Sequence, residues 1–337
     1  MPILLLTSCR GNNNEVISNN IWAFGTMVSI KIQGGSKEIL SNALELAEKY
    51  SKLSDAYNSW SGEDGITPIN NLCLINLKKS EGKPIEVDPL LTELLTYGIN
   101  MKEETSMVID GEKQYFFDPL IGDVTTLWKT FVENESKKEI LPTNEQIDAS
   151  LNDMRNSSIT VEGNTITRNG NAIIDVGAYA KGYAVNKIRE YLISEGIKVF
   201  SINAGSSSLG LGTTENDMGY RIHIDRETKN GHFSAYYLAK NTSVGTSGVS
   251  EQGREYEGKV YSHIVDPRNG SGEAKYDTVS VKTTDSGLAD ILSTVIFIGG
   301  DTLAKYLSSK YDFGYMIFDG KDVVASNDKL GLVVENK

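Results

Sequence analysis

Residues 172–203 read AIIDVGAYAKGYAVNKIREYLISEGIKVFSIN. Ala172–Val176 is a short apolar run rich in β-branched residues, and Gly177 ends it, which reads as a strand. From about Ala178 the period changes. Ala184, Ile188, Tyr191 and Leu192 share one helical face, and the helix runs to about Ser194 before Gly196 closes it. Lys198–Asn203 returns to strand. The neighbouring segments do not repeat this unit. Upstream, Thr143–Met154 reads as a helix, and Ser158–Val161 and Thr165–Thr167 as strands joined by the turn Gly163-Asn164. Further upstream lie a strand over Ile21–Ile32 ended by Gly34-Gly35, a helix over Lys37–Leu53, a polar loop over Ser54–Ile69 and a helix over Pro89–Met101. Downstream, strands and turns dominate to Lys282, and a last helix over Ser286–Ile298 is stopped by Gly299-Gly300. Strands and helices mix without a βαβ rhythm, so the fold class is α+β, with antiparallel sheets packed against helices.

The 337 residues include 33 Lys and Arg against 45 Asp and Glu, a net charge of −12. Such a surface repels phosphate backbones, so nucleic acid is not an expected partner. Any phosphate-bearing ligand needs local help from a metal, backbone amides or a few lysines. Two cysteines cannot build a disulfide scaffold or a zinc cluster. Cys73, in the apolar run Leu72–Ile75, reads as a small buried hydrophobe. Cys9 follows a short apolar run, and Leu6-Thr7-Ser8-Cys9 resembles the lipobox of bacterial lipoproteins, in which the cysteine is acylated. Residues 1–20 are then a signal remnant and tether, and 21–337 one catalytic unit. No Lys or Arg precedes the apolar run, a departure from the usual signal. No later segment is expected to reach the roughly twenty apolar residues of a membrane span.

Three stretches carry candidate chemistry. The corner at Gly177 leads into a helix start, where free N–H groups and the helix dipole favour an anion, with Lys181 beside it. The stretch has neither a P-loop GK[ST] nor a Rossmann GxGxxG, so a plain strand–turn–helix corner is the competing reading. In the last helix Asp290 and Thr294 are four apart on one face, amid Leu288, Ile291, Leu292, Val295 and Phe297. A carboxylate there needs a partner, and a carboxylate–hydroxyl pair suits a hard cation such as Mg²⁺ or Ca²⁺. The alternative is an electrostatic role within its own helix. His263, at the end of an apolar strand before Pro267 and Gly270, is either a proton acceptor or a structural histidine. His223 and His232 read as surface residues.

In this order the segments resemble the FAD:protein FMN transferase family, also called the ApbE family. Phe24-Gly25-Thr26-Met27, Phe117-Asp118-Pro119, Leu127-Trp128, Ile174–Ala184, Asn203-Ala204-Gly205, Thr246-Ser247-Gly248, His263–Gly270 and Ala289–Thr294 match its motifs from about Ile21 to Gly300. Asn71, with Asn70 beside it, matches the asparagine that ends an early loop. There are departures: Ala178 replaces a glycine, Asn186 an aspartate, and Ser206-Ser207 a Gly-Asp pair, while Thr105–Tyr115 is longer and more polar.

The resemblance implies a T-fold-like architecture with an FAD cleft between two lobes. It implies cleavage of FAD at its pyrophosphate, release of AMP, and FMN left on a Thr or Ser hydroxyl of a partner protein. Mg²⁺, with Ca²⁺ as the alternative, is held by Asp290, Thr294 and the backbone oxygen of Ala180. His263 is the implied proton acceptor, and Lys181 and Asp290 complete the catalytic set. The flavin nucleotide is expected at Gly25, Thr26, Asn71, Asp118, Gly177, Lys181, Tyr183, Asn203, Ala204, Gly205, Thr246, Ser247, Gly248 and His263. The acceptor is a separate protein, an extracytoplasmic electron-transfer subunit, met at the outer face of a bacterial membrane to which Cys9 anchors the enzyme. Two other readings share the site: a Mg²⁺-dependent FAD pyrophosphatase yielding free FMN, and a flavin-binding lipoprotein without catalysis.

Overall fold

The computed structural model describes residues 15–62, 65–133, 141–228, 231–249 and 252–336. Cys9 and its lipobox lie outside them. The centre is one eight-stranded sheet: β1 (Val16–Ala23), β2 (Thr26–Gln33), β3 (Val199–Ala204), β4 (Ser208–Leu211), β5 (Thr242–Gly248), β6 (Thr278–Thr283), β7 (Gly314–Phe318) and β8 (Val323–Ser326). Each strand pairs antiparallel with the next, so spatial order equals chain order. The sheet is a meander interrupted by insertions.

Helices α1 (Lys37–Ser54), α2 (Leu72–Asn76), α3 (Pro89–Glu104), α4 (Gly122–Glu133), α5 (Asn144–Arg155) and α6 (Ala180–Ser194) all fall between β2 and β3, and α7 (Ser286–Leu307) joins β6 to β7. Local chemistry starts several of them. Ser36 Oγ accepts from Ile39 N–H at α1, Asp88 precedes Pro89 at α3, and Thr143 and Gln146 form a reciprocal capping box at α5. Alternation assigns the faces. Val28, Ile30, Ile32, Phe200 and Ile202 point to one side and pack on Leu40, Ala43, Leu44, Ile188 and Leu192 of α1 and α6. On the other side, the hairpin Tyr220–Thr228/Gly231–Ala239 covers the later strands, with Phe233, Ala235 and Tyr237 against Val244, Met316 and Phe318. The largest core joins Ile291, Leu292 and Val295 of α7 to Leu94, Phe116, Trp128 and Leu151 of the insertion. The two halves expected to flank the cleft therefore share one continuous core.

Five sequence expectations change. Ile21–Ile32 is two strands, because Phe24 (φ 55) and Gly25 (φ 69) form a two-residue turn between the paired residues Ala23 and Thr26. Both turn positions need positive φ, which suits glycine and strains phenylalanine. Residues 172–176 are extended but pair with no strand. Their backbone groups go to side chains and loops instead: Asp123 Oδ2 accepts from Ile173 N–H at 2.8 Å, and the Asn76 amide brackets Ile174 by accepting from its N–H and donating to its carbonyl. The last helix does not end at Gly299-Gly300 but turns at Gly300 (φ 68, ψ −161) and continues to Leu307. At 22 residues α7 is long and apolar enough to cross a membrane by length and composition, contrary to expectation, yet most of it is buried in the protein core. Cys73 is half-buried rather than buried.

Candidate active site

Asp290 sits one turn into α7 and is 7% exposed. Its Oδ2 accepts from the Gly182 N–H at 2.8 Å and from Ser208 Oγ at 2.7 Å. The carboxylate thus caps the first turn of α6, where the helix dipole favours negative charge. That is neither the in-helix role nor a metal role alone. Its Oδ1 is buried and has no protein partner. Burial pushes the carboxyl up to about 7, against the pull of Lys181, Ser208 and Gly182. Thr294, one turn on, lies with its hydroxyl 3.2 Å from Ser247 Oγ, which also meets Ser293 Oγ at 2.8 Å.

Two glycines allow this approach. A Cβ on Gly182 would stand 2.6 Å from the Asp290 carboxyl and 2.3 Å from the Ser286 carbonyl. A Cβ on Gly245 of β5 would meet the Ala289 backbone at 2.4 Å. Helix α7 is therefore held against α6 and β5 at the aspartate by the absence of two side chains.

Asp290 and Thr294 open onto a cavity of about 520 Å³, within the roughly 300–1,000 Å³ range of small-molecule sites. Its polar wall includes Lys129, Asp175, Lys181, His263, Thr246 and Ser247, and its apolar wall Phe116, Phe117, Ile121, Leu209 and Ile298. Asp175 Oδ1 accepts from Gly177 N–H at 2.7 Å, and its Oδ2 from the Tyr57 hydroxyl at 2.9 Å. The extended run before it is fixed by Asn76 and by Arg168, a buried guanidinium donating to the carbonyls of Ile75, Asn76, Leu77, Gly170 and Ala172. On the facing loop, burial and the nearby charges of Lys129 and Lys181 push His263 down to about 4. It is neutral at physiological pH, and its Nδ1 is buried without a partner. That loop is held by Trp128, which donates to the Gly270 carbonyl at 2.8 Å and stacks on Tyr261.

The structure brings together Asp118, Gly177, Lys181, Gly205, Thr246, Ser247, Gly248, His263, Asp290 and Thr294 around this one cavity. Gly25, Thr26, Asn203 and Ala204 do not line it. They shape its rim instead, since Phe24 and Gly205–Ser207 at the two hairpin tips do line it, Asn203 Oδ1 accepts from Ser206 N–H, and Gly205 lies against Thr26. Ala180 is buried away from the lining, and the alanine facing the cavity is Ala178. Tyr183 packs among Tyr50 and Tyr97. Asn71 is fully buried as the N-cap of α2, its amide donating to the Lys52, Asp55 and Asn58 carbonyls. Asn186 bonds Glu190 on the α6 surface, outside the lining, whereas Ala178, Ser206 and Ser207 lie in it. His223 is exposed yet reaches the cavity rim, and His232 is exposed beside Glu227. Sequence reading missed Lys129, Asp175, Tyr57 and Ser208; only Asp175, inside the quoted motif, carried any signal.

The residues fit a hard cation. Among the described residues no group of three or more His, Cys, Asp or Glu is placed to hold a metal ion, so a soft, nitrogen- or sulfur-bound metal has no set of donors. The unspent, buried Asp290 Oδ1 beside the Thr294 and Ser247 hydroxyls offers oxygen alone.

Comparison with known proteins agrees with the motifs. The chain is 25% identical over 324 residues to the FAD:protein FMN transferase of Klebsiella pneumoniae (strain 342), covering 94% of this chain and 93% of that one. It is 24% identical over 288 residues to the FAD:protein FMN transferase of Rhodobacter capsulatus, but spans only 52% of that protein's length. In fold it is similar to the flavin transferase ApbE of Vibrio cholerae (TM-score 0.74, 20% identity, 94% of this chain and 98% of that one). The apbe protein of Thermotoga maritima is similar too (TM-score 0.74, 22% identity, 93% and 98%). The model described as the ApbE family matches residues 24–317, so the run that begins at the β1–β2 turn and ends in β7, with every cavity-lining segment inside it, places this chain in the ApbE family.

Proposed function

We propose that the chain transfers the FMN half of FAD to a Thr or Ser hydroxyl of another protein and releases AMP. The observation that carries this reading is the buried Asp290 carboxylate, with one oxygen spent on Gly182 and Ser208 and the other unspent, in a cavity that also holds neutral His263 and two lysines. The names of the relatives in Klebsiella and Rhodobacter support the same reaction.

Asp290 and Thr294 would hold Mg²⁺, with Ca²⁺ as the alternative; when bound, the cation supplies charge neutralisation at the pyrophosphate. The chain's own groups do the rest. His263, kept neutral, takes the proton of the acceptor hydroxyl. The hydroxyl oxygen bonds to the FMN phosphorus, the phosphoanhydride bond breaks, and AMP leaves with the electron pair. Lys181, at the head of α6, holds phosphate charge beside Asp290. The apolar wall of Phe116, Phe117 and Leu209 suits an isoalloxazine or adenine ring and limits water.

The acceptor is a separate protein, proposed as an extracytoplasmic electron-transfer subunit. Lipidation at Cys9 would hold the enzyme at the membrane face where such a subunit lies; this rests on the sequence of residues 1–14 alone. The test is to quantify AMP, free FMN and protein-bound FMN with FAD, Mg²⁺ and an acceptor domain. Transfer predicts AMP equal to bound FMN, and little AMP when the acceptor is left out. AMP matched by free FMN, whatever the acceptor, points to the pyrophosphatase. Bound FAD with no AMP leaves the non-catalytic reading.

A further inference from the structure

We propose that Lys129 is a second phosphate-binding residue of this site, holding the phosphoryl group beside His263, in the cavity that Lys181 also lines. The proposal rests on the FMN-transfer reading for its role in the reaction, and on geometry for its affinity for a diphosphate.

Lys129 lies on α4 in register with Ile121 and Thr125, four residues apart in turn, and all three line the cavity. Its Nζ stands 3.8 Å from Asp175 Oδ2, beyond hydrogen-bond range, and 5.3 Å from the centre of the Tyr57 ring. Asp175 also accepts from Gly177 N–H and the Tyr57 hydroxyl, so its charge is shared among three groups. Among the described residues no acceptor takes a hydrogen bond from Lys129. The other cations near the cavity divide clearly. Lys102 is spent on Asp118 at 2.7 Å, and Arg226 on Asp277 and Thr278. Among the described residues neither Lys181 nor Lys129 donates a hydrogen bond, and Lys129 is held only by its longer ion pair with Asp175 and the Tyr57 ring.

Both lysines line the cavity with N–H donors that no protein acceptor among the described residues takes, so an anion bound there can take them. Both act on His263, so the charge they favour is next to the group that accepts the proton. In phosphoryl transfer, charge spreads over the non-bridging oxygens, and a fixed ammonium there strengthens as the transition state forms.

The experiment compares wild type with Lys129→Gln and Lys129→Arg, each checked by circular dichroism. Binding of ADP and of adenosine is titrated, and AMP release is measured in single turnovers with an acceptor domain present at saturating FAD and Mg²⁺. Lys129→Gln should weaken ADP by about 10-fold, leave adenosine unchanged, and slow AMP release by on the order of 10²-fold; Lys129→Arg should recover most of both. If wild type releases no AMP, the transfer reading falls, while the ADP titration still decides the phosphate site. Unchanged ADP affinity in Lys129→Gln overturns the proposal. Loss of ADP and adenosine binding together also overturns it, since that marks a structural role for Lys129.

Discussion

At the scale of single residues, the site is organised by one carboxylate kept where it is costly. Asp290 was legible because an acid in an almost wholly apolar helix lacks a partner. What it does with Gly182 was not, since that contact joins residues 108 apart in the chain. Lys129 was illegible for the opposite reason: a lysine on a short amphipathic helix reads as a solvated side chain. The sign of the Asp290 shift matters. Its folded-state pKa, about 7, lies above the ordinary 3.8, so between those values the folded state binds more protons than the unfolded. The metal-free protein should therefore lose stability as pH rises from about 4 to 7. Asp290→Asn should raise its melting temperature at pH 8 by several degrees, abolish the stabilisation by Mg²⁺ expected of wild type, and cut AMP release by at least ~10²-fold. Thermal denaturation with and without EDTA checks the first two. His263 has the reverse linkage. Its pKa falls to about 4 from 6.5, so it lowers stability as pH drops through that window. His263→Gln should be more stable than wild type at pH 5, equal to it at pH 8, and slow in transfer at both.

At the scale of elements, the periodic helices α1, α3, α5 and α6 were readable because each buries one face and carries a cap or a terminal glycine. The strands were less so. Residues 172–176 have strand composition, yet Asn76, Asp123 and Arg168 satisfy their backbone, and tertiary contacts override propensity there. Gly299-Gly300 signals a stop, but positive φ at Gly300 turns the chain, and the apolar residues Leu303, Ala304 and Leu307 then form a second helical stretch. The junction of α6, α7 and β5 depends on backbone-close packing. Gly182→Ala should displace the Asp290 carboxyl, lowering Mg²⁺ affinity about 10-fold or more, whereas Gly196→Ala, in open space beyond α6, should leave it unchanged. Mg²⁺-dependent melting shifts compare the two. Equal affinity in the first pair would remove the close-approach argument.

At the scale of the whole molecule, α+β composition was evident, but not that every strand of the main sheet follows its predecessor. Strand order is set by which insertion covers which face, and those contacts span up to hundreds of residues. The meander leaves β1 and β8 as edges, while β5 and β6 are sandwiched between α7 and the 220–239 hairpin. Amide exchange should accordingly be slowest in β5, β6 and the first half of α7, and fastest in β1 and β8. The stiffest part of the protein would then be the part that carries Ser247, Asp290 and Thr294, and uniform exchange across the sheet would contradict that.

The most direct test of the whole account is the intact mass of an acceptor domain incubated with this protein and FAD. With Mg²⁺ and wild type, the acceptor should gain the mass of one FMN in phosphoester linkage, with an equal amount of AMP released. EDTA or Asp290→Asn should leave the acceptor unmodified. An adduct that forms equally well with Asp290→Asn or in EDTA would contradict a reaction centred on that carboxylate and its cation.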